Sequence, residues 1–105
     1  MLKINLEYRK GILFIRLKGE LTKYTYPTLL NYITPLINEK GIKYLVINLD
    51  YIKLIDKVGK NTLKTILLEA KKNHGCGIIC NSKIKFDDSL KIVDNELKAF
   101  TLLKV

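Results

Sequence analysis

The segment that most constrains the fold is residues 44–49, an almost unbroken apolar run rich in β-branched side chains. A strand with one face in water alternates polar and apolar residues, whereas a strand covered on both faces is apolar throughout. The run therefore predicts a central strand buried on both sides. Such a strand needs other elements to cover it, and the neighbouring segments supply them.

Two strands are predicted before the central one. Residues 2–8 alternate, and in residues 12–18 Leu13, Ile15 and Leu17 face one way while the basic side chains face the other. The intervening Arg9, Lys10 and Gly11 are typical of a hairpin turn. Gly19, Glu20 and Leu21 close the second strand.

Two longer helices are predicted on either side of the central strand. The first begins near Pro27 and stops at Gly41, and because an interior proline removes a backbone hydrogen bond, Pro35 predicts a kink near Asn31 or a break and restart. The second covers residues 58–73 and ends at His74 and Gly75. Its predicted buried stripe is Leu63, Ile66, Leu67 and Ala70. Its opposite face is a basic stripe broken by one leucine: Lys60, Lys64, Leu68 and Lys71.

The remaining segments complete a single domain over residues 1–105. Residues 77–80 and 90–93 predict short strands, and the tail from Asn95 predicts a short amphipathic helix. The resulting order, β-β-α-β-α-β-β-α, indicates an α/β fold with a mixed sheet of four or five strands and three to four helices packed on it.

The net charge of +9 has two interpretations. A basic surface suits nucleic acid, anionic lipid or an acidic protein. The alternative is compositional drift, since lysines are spread along the whole chain. Only Arg9 and Arg16 among the nineteen basic residues are arginine, the residue favoured for bidentate phosphate and guanine contacts. This scarcity favours drift over nucleic-acid binding.

The sequence carries no pattern typical of an enzyme or of a cofactor site. It has no Gly-rich phosphate loop, nucleophile elbow or paired-carboxylate pattern. Cys76 and Cys80, four residues apart in a strand, are too distant for a disulfide and predict buried thiols in a reducing compartment. With His74 they make only three of the four ligands of a structural zinc site, so no metal is expected.

Residues 44–67 resemble the STAS domain of bacterial anti-sigma factor antagonists. In that family an apolar central strand runs into a loop of the form Asp-Ser-(Ser/Thr)-Gly that opens the next helix. Here Ile55 is followed by Asp56, Lys57, Val58 and Gly59. The Gly-Glu-Leu that closes the second strand also resembles the family at that place, and the likeness extends over essentially the whole chain.

Two departures from the family pattern stand out. The family's regulatory serine or threonine follows the aspartate, and here that position is Lys57, with Val58 after it. The family also carries a full third helix between the positions of Cys80 and Leu90, and here residues 82–88 have room for one or two turns. We therefore expect that helix to be shortened or replaced by a loop.

The resemblance implies a non-catalytic partner-binding module. In the family's partner switching, the unmodified antagonist binds an anti-sigma kinase, and phosphorylation of the loop serine breaks the contact by adding negative charge. A lysine cannot accept the phosphoryl group and does not mimic it. Lys57 is either a lost switch or a solvated residue of a degenerate loop. Asp56 has two interpretations, a helix N-cap or the family's contact residue, and Gly59 is expected to permit a tight turn into the helix.

The expected interface combines the loop of residues 56–59 with the basic stripe that includes Leu68, and the expected partner is a protein, either an anti-sigma kinase or a larger sensory assembly. Alternatives are an accessory subunit of a lipid-transport ATPase and a basic nucleic-acid-binding domain; a homodimer is also compatible with the pattern. With no long apolar run and no signal-peptide core, the chain is expected to be cytoplasmic and not inserted in a membrane.

Overall fold

The apolar runs form one five-stranded sheet with helices on it, in a computed structural model that describes residues 1–87 and 89–103. The elements in chain order are β1 (Leu2–Arg9), β2 (Ile12–Leu21), α1 (Tyr26–Lys40), β3 (Tyr44–Ile55), α2 (Lys57–Lys72), β4 (Cys76–Cys80), β5 (Ile92–Val93) and α3 (Glu96–Leu103). The α/β class, the mixed sheet and the element order are confirmed.

The strands lie in the sheet in the order in which they occur in the chain, so β3 is central as predicted. β1 pairs with β2 in antiparallel fashion, and every other neighbouring pair is parallel. The hairpin turn between β1 and β2 has Lys10 at φ 55° and Gly11 at φ 80°. Two-residue hairpins favour this left-handed conformation because its twist matches that of the strands, and a glycine adopts it without steric cost.

β3 is longer than the predicted central strand, which ended at residue 49. It continues to Ile55 because β2 continues beside it, with Lys18 opposite Tyr51 and Leu21 opposite Ile55. Two register irregularities interrupt this pairing, one of them after Arg16. They break the alternation of buried and exposed side chains, and for this reason the second half of the strand gave no clear pattern.

α1 runs without interruption through Pro35, so the predicted break and restart is wrong. Its buried residues are Leu29, Ile33 and Ile37, all on one face. Pro35 and Asn31 are exposed. The Asn31 carbonyl that loses its hydrogen-bond donor at Pro35 therefore lies on the solvent side of the helix, where water can satisfy it, and the cost of the interior proline is reduced.

The two faces of the sheet are covered by different helices. On one face α1 and α2 pack on a large apolar cluster that includes Ile15, Leu45 and Ile47. On the other face α3 packs through Ala99 and Leu103 on a smaller cluster, with these sheet residues: Ile12, Phe14, Val46, Ile78 and Cys80. β3 contributes alternate residues to both clusters, which explains its unbroken apolar run.

A charged network holds the beginning of α3 on its face of the sheet. Arg16 donates two hydrogen bonds to the two carboxylate oxygens of Glu96 and one to Glu7 Oε1, each at 2.8 Å. Asn48 Nδ2 also donates to Glu96, at 2.7 Å. The hydrogen bonds from Arg16 hold the pKa values of Glu96 and Glu7 below their usual range.

The connection from β4 to β5 contains no helix among its described residues, 81–87 and 89–91. The expected third helix is thus replaced by a loop. Three side chains of this loop, Ile84, Phe86 and Leu90, pack against the α1–α2 cluster and close the core at that point. In the part of the chain that the structure describes, no helix has the length and apolar character needed to cross a membrane.

Candidate functional site

Two loops lie side by side where β2 and β3 end. One is the β2–α1 loop, residues 22–25, and the other is Asp56, the single residue between β3 and α2. The Asp56 N–H donates to the Leu21 carbonyl at 3.2 Å, and the Lys23 N–H donates to Asp56 Oδ2 at 2.9 Å. The two loops therefore form one surface, whose shape is fixed by backbone contacts.

Asp56 is the N-cap of α2, as predicted. Its Oδ1 accepts a hydrogen bond from the Gly59 N–H at 2.8 Å, while Oδ2 is bonded to Lys23. The backbone hydrogen bonds from Gly59 and Lys23 hold the pKa of this carboxyl below its usual range. The contact to Lys23, 33 residues away in the sequence, was not predicted, since no local pattern signals it.

Gly59 is needed for close packing, and not for the tight turn that we expected. It lies inside α2 with helical backbone. A Cβ atom at this position would lie 2.2 Å from the Leu21 carbonyl oxygen, which is closer than real Cβ atoms approach. The absence of a side chain lets the first turn of α2 rest directly on the end of β2, and this positions the whole loop.

Lys57 is the first residue of α2, and its side chain is exposed, whereas Val58 is half-buried. The first turn of α2 contains no acidic residue. A positive charge is unfavourable at a helix N-terminus, because the backbone N–H groups there already carry partial positive charge. Helix stability therefore does not account for a lysine at this position.

The predicted basic stripe on α2 is divided by the β4–β5 loop. Lys60 Nζ lies 5.8 Å from the centre of the Phe86 ring, and Lys64 forms an ion pair with Asp87. Further along the helix, Leu68 is 55% exposed and Lys71 is exposed. Lys60 and Lys64 thus contact the β4–β5 loop of the same domain, whereas Leu68 and Lys71 are exposed to solvent.

The opposite side of α2 is buried as predicted, with all four stripe residues in the core: Leu63, Ile66, Leu67 and Ala70. Since that side faces the sheet, Leu68 and Lys71 face away from it.

Exposed apolar side chains flank the two loops, and the sequence did not indicate them. Tyr24 is 81% exposed in the β2–α1 loop, with Lys23 Nζ 5.2 Å from the centre of its ring. Leu54, near the end of β3, is 52% exposed. Tyr51, on β3, is 67% exposed.

The cysteines differ in environment, so the expectation of two buried thiols is half wrong. Cys80 is buried beneath α3, and its burial raises the pKa of the thiol to about 12. Cys76, at the start of β4, is exposed and free. Within residues 1–87 and 89–103, no group of three or more histidine, cysteine or acidic side chains could hold a metal ion.

The chain matches a known family model over most of its length. The model described as the STAS domain covers residues 3–98. The match includes both loops of the candidate site and all of α2.

Solved structures with the same fold include several anti-sigma factor antagonists. The unphosphorylated form of SpoIIAA is 19% identical, with a TM-score of 0.81, over 97% of this chain and 98% of that one. An antagonist from Mycobacterium paratuberculosis is 18% identical, with a TM-score of 0.86, over 100% and 96%. The phosphorylated form of SpoIIAA, from Bacillus, is 19% identical, with a TM-score of 0.66, over 95% and 82%. At these identities the likeness shows the fold.

Proposed function

The chain belongs to the STAS domain family, and from this premise we propose that it is a non-catalytic protein-binding module of the anti-sigma factor antagonist type that is not switched by phosphorylation at the β3–α2 loop. The observation that carries the proposal is Lys57. It is exposed at the first position of α2, where the family places its phosphoacceptor, and it has no hydroxyl group.

The proposed binding surface is the Asp56–Gly59 loop together with the exposed side of α2. The loop is held on two sides, by the cap to Gly59 and by the bond from Lys23, so little conformational entropy is lost when a partner binds it. Tyr24 and Leu54 extend the surface with exposed apolar area. Leu68 of α2, which is 55% exposed and lies among lysines, completes the surface. Apolar anchors of this kind contribute much of the binding energy at interfaces.

The loss of the switch follows from charge. In the family scheme, phosphorylation adds about 1.5 to 2 negative charges to the loop and so breaks the interface. Lys57 carries the opposite charge and cannot be modified in this way. The protein is therefore a constantly competent binder at this loop.

Two hydroxyl groups outside the loop, those of Thr62 and Ser82, are engaged in hydrogen bonds within the domain. Thr62 is buried within α2, and its hydroxyl donates to the Val58 carbonyl at 2.8 Å. Ser82 is half-buried, and its hydroxyl donates to the Ile84 carbonyl at 2.7 Å. Modification of either hydroxyl would break the hydrogen bond that it donates.

The test uses the anti-sigma kinase of the source cell, ATP and mass spectrometry. We expect the kinase to bind the parent protein and leave it unmodified, and to phosphorylate the Lys57→Ser variant. Lys57→Glu, which places negative charge where the family places its phosphate, should weaken binding measured by titration calorimetry.

Three results would contradict the proposal. The first is phosphate on Thr62 or Ser82 of the parent, which would mean that the switch has moved. The second is equal binding by the parent and by Lys57→Glu, both folded. The third is no binding to the kinase together with binding to a transport ATPase or to nucleic acid, which would favour one of the alternative functions.

A further inference from the structure

The β4–β5 connection leaves a groove beside α2. Two neighbouring parallel strands are usually joined by a helix that covers the sheet between them. Here β4 and β5 are parallel neighbours, but the described residues of their connection contain no helix. The loop fills the core with Ile84 and Phe86, yet an open cavity of about 370 Å³ remains between α2 and the residues that lead into β5.

The floor of this groove is apolar. Leu68 of α2, which is 55% exposed, forms one wall with the edge of the buried Leu67 beneath it, and the half-buried Leu90 lies on the opposite wall. Between them Gly77 of β4 has no side chain, and Leu67 Cδ2 lies only 2.2 Å from the place where a Cβ would stand. Exposed apolar surface in a concave site, with open access from solvent, is typical of a surface that buries apolar side chains of a partner.

The rim of the groove is basic. Its charged residues, among those that the structure describes, are all lysines: Lys64, Lys71 and Lys91. Lys64 is paired with Asp87, whereas Lys71 and Lys91 form no ion pair with any described residue. A segment that enters the groove therefore meets leucines at the bottom and positive charge on both sides, and acidic residues on its flanks would complement this charge.

We propose that this groove binds an acidic amphipathic helix of a protein partner. A helix lying along α2 would occupy the place that a crossover helix takes in other parallel connections, with its apolar stripe on Leu68 and Leu90. Its glutamates or aspartates would face Lys71 and Lys91. The proposal relies on the proposed function for the existence of a protein partner, and it adds where one element of that partner lies and what its chemistry is.

Other occupants fit the groove less well. A basic helix would place positive charge against the lysine rim. Nucleic acid is recognised by phosphate contacts and base stacking, and neither the apolar floor nor a rim without arginine or exposed aromatic side chains favours it. The floor instead matches the way in which an amphipathic helix lays its apolar face into a groove.

Cys76 lines the groove and provides a site-specific probe. The chain has two cysteines, and Cys80 is buried with a pKa of about 12, so an alkylating reagent reacts with the exposed Cys76 first. The binding probes are two synthetic peptides with leucines at helical spacing, one with glutamates at the flanking positions and the other with lysines there. Alkylation of Cys76 is followed by mass spectrometry while each peptide is titrated into the protein.

We expect the acidic peptide to slow Cys76 alkylation about tenfold or more at saturation, and the basic peptide to have no effect. Added salt should weaken the acidic peptide's binding, because it screens exposed charges. Lys91→Glu and Leu68→Ala should each weaken the binding about fivefold or more. Lys3→Glu, a lysine exchange on the distant edge strand β1, is the matched control and should leave the binding unchanged.

The outcomes separate this proposal from the proposed function. If the acidic peptide neither protects Cys76 nor binds better than its basic twin, the groove proposal is wrong, whatever the kinase does. The same holds if Lys91→Glu binds the acidic peptide like the parent. If instead the peptide binds as expected while Lys57→Glu leaves kinase binding unchanged, the groove proposal stands and the proposed role of the loop fails.

Discussion

On one face of the sheet α1 and α2 bury a continuous apolar cluster, whereas on the other face α3 covers a smaller one and is tied down by charges. The first face is stabilised mainly by the burial of many apolar side chains. The second combines a smaller apolar cluster with the hydrogen bonds from Arg16 to Glu96 of α3. The same sheet thus carries one helical layer whose stability is spread over many apolar contacts, and another in which a few charged hydrogen bonds attach the helix to the sheet.

The largest effect is expected from removing bulk on the α1–α2 face. Ile47 is fully buried there, and Ile47→Ala should lower the free energy of unfolding by about 2–5 kcal/mol through lost burial and a residual cavity. Urea denaturation gives the value. The matched control is Leu97→Ala on α3, which removes a side chain that is 74% exposed and should change stability by no more than about 0.5 kcal/mol. Equal effects of the two variants would contradict the account of this face.

A smaller and more local effect is expected on the α3 face. Glu96→Gln keeps the shape of the side chain but removes the charge that Arg16 binds, which should cost about 1–2 kcal/mol. We expect α3 to open locally in this variant, so amides of α3 such as Ala99 should exchange about tenfold faster, while amides of β3 change less.

Asp94→Asn is the control for that variant. Asp94 also forms an ion pair, with Lys98 at 2.7 Å, but its side chain is 79% exposed and the partner lies on α3 itself. An exposed pair of this kind contributes little, so exchange in α3 should hardly change. If Asp94→Asn speeds amide exchange in α3 as much as Glu96→Gln does, the hydrogen bonds from Arg16 to Glu96 do not attach α3 more strongly than a surface ion pair would.

Lowering the pH should weaken the attachment of α3 more than the packing of β3, without any mutation. The folded-state pKa of Glu96 is lowered from 4.5, so the stability it contributes is fully present above that value and is lost as the pH falls through the lower, folded-state value. The pKa of Glu7 is also lowered, chiefly by its hydrogen bond from Arg16, so the stability that this bond contributes is likewise lost in acid. We expect α3 amides to lose protection, relative to β3 amides at the same pH, as the pH is lowered below about 4.5. In Glu96→Gln this difference should shrink; an equal pH dependence in both proteins would contradict the assignment.

The two faces also differ in how far the sequence revealed them. The α1–α2 face follows from periodicity alone, since residues such as Leu63 and Ile66 recur at helical spacing and residues 44–49 form an unbroken apolar run. The tail helix was predicted, but its attachment was not. Arg16 and Glu96 are 80 residues apart, and pairing between such distant charges leaves no local pattern.

The candidate site divides in the same way. Asp56 was predicted as a cap because capping depends on residues within the same turn. The contact from Lys23 to Asp56 and the approach of Gly59 to Leu21 both join different elements, and they become visible only when β2 and β3 lie side by side. The contacts of Lys60 with Phe86 and of Lys64 with Asp87 likewise depend on the path of the β4–β5 loop, which has no periodic pattern in the sequence.

The smallest effect concerns charge at the rim of the apolar face. Lys57→Glu replaces a positive charge by a negative one at the N-terminus of α2, so it should raise the free energy of unfolding by about 0.3–1 kcal/mol at low salt. Lys71→Glu makes the same exchange in the last turn of the same helix and should lower it by a similar amount. Thermal melts at low and high salt measure both changes, which should vanish as salt screens the charges. If Lys57→Glu instead destabilises the domain, a damaged fold would explain weaker partner binding by that variant. If Lys57→Glu stabilises the domain and still binds the partner more weakly, Lys57 acts at the interface and not in the fold.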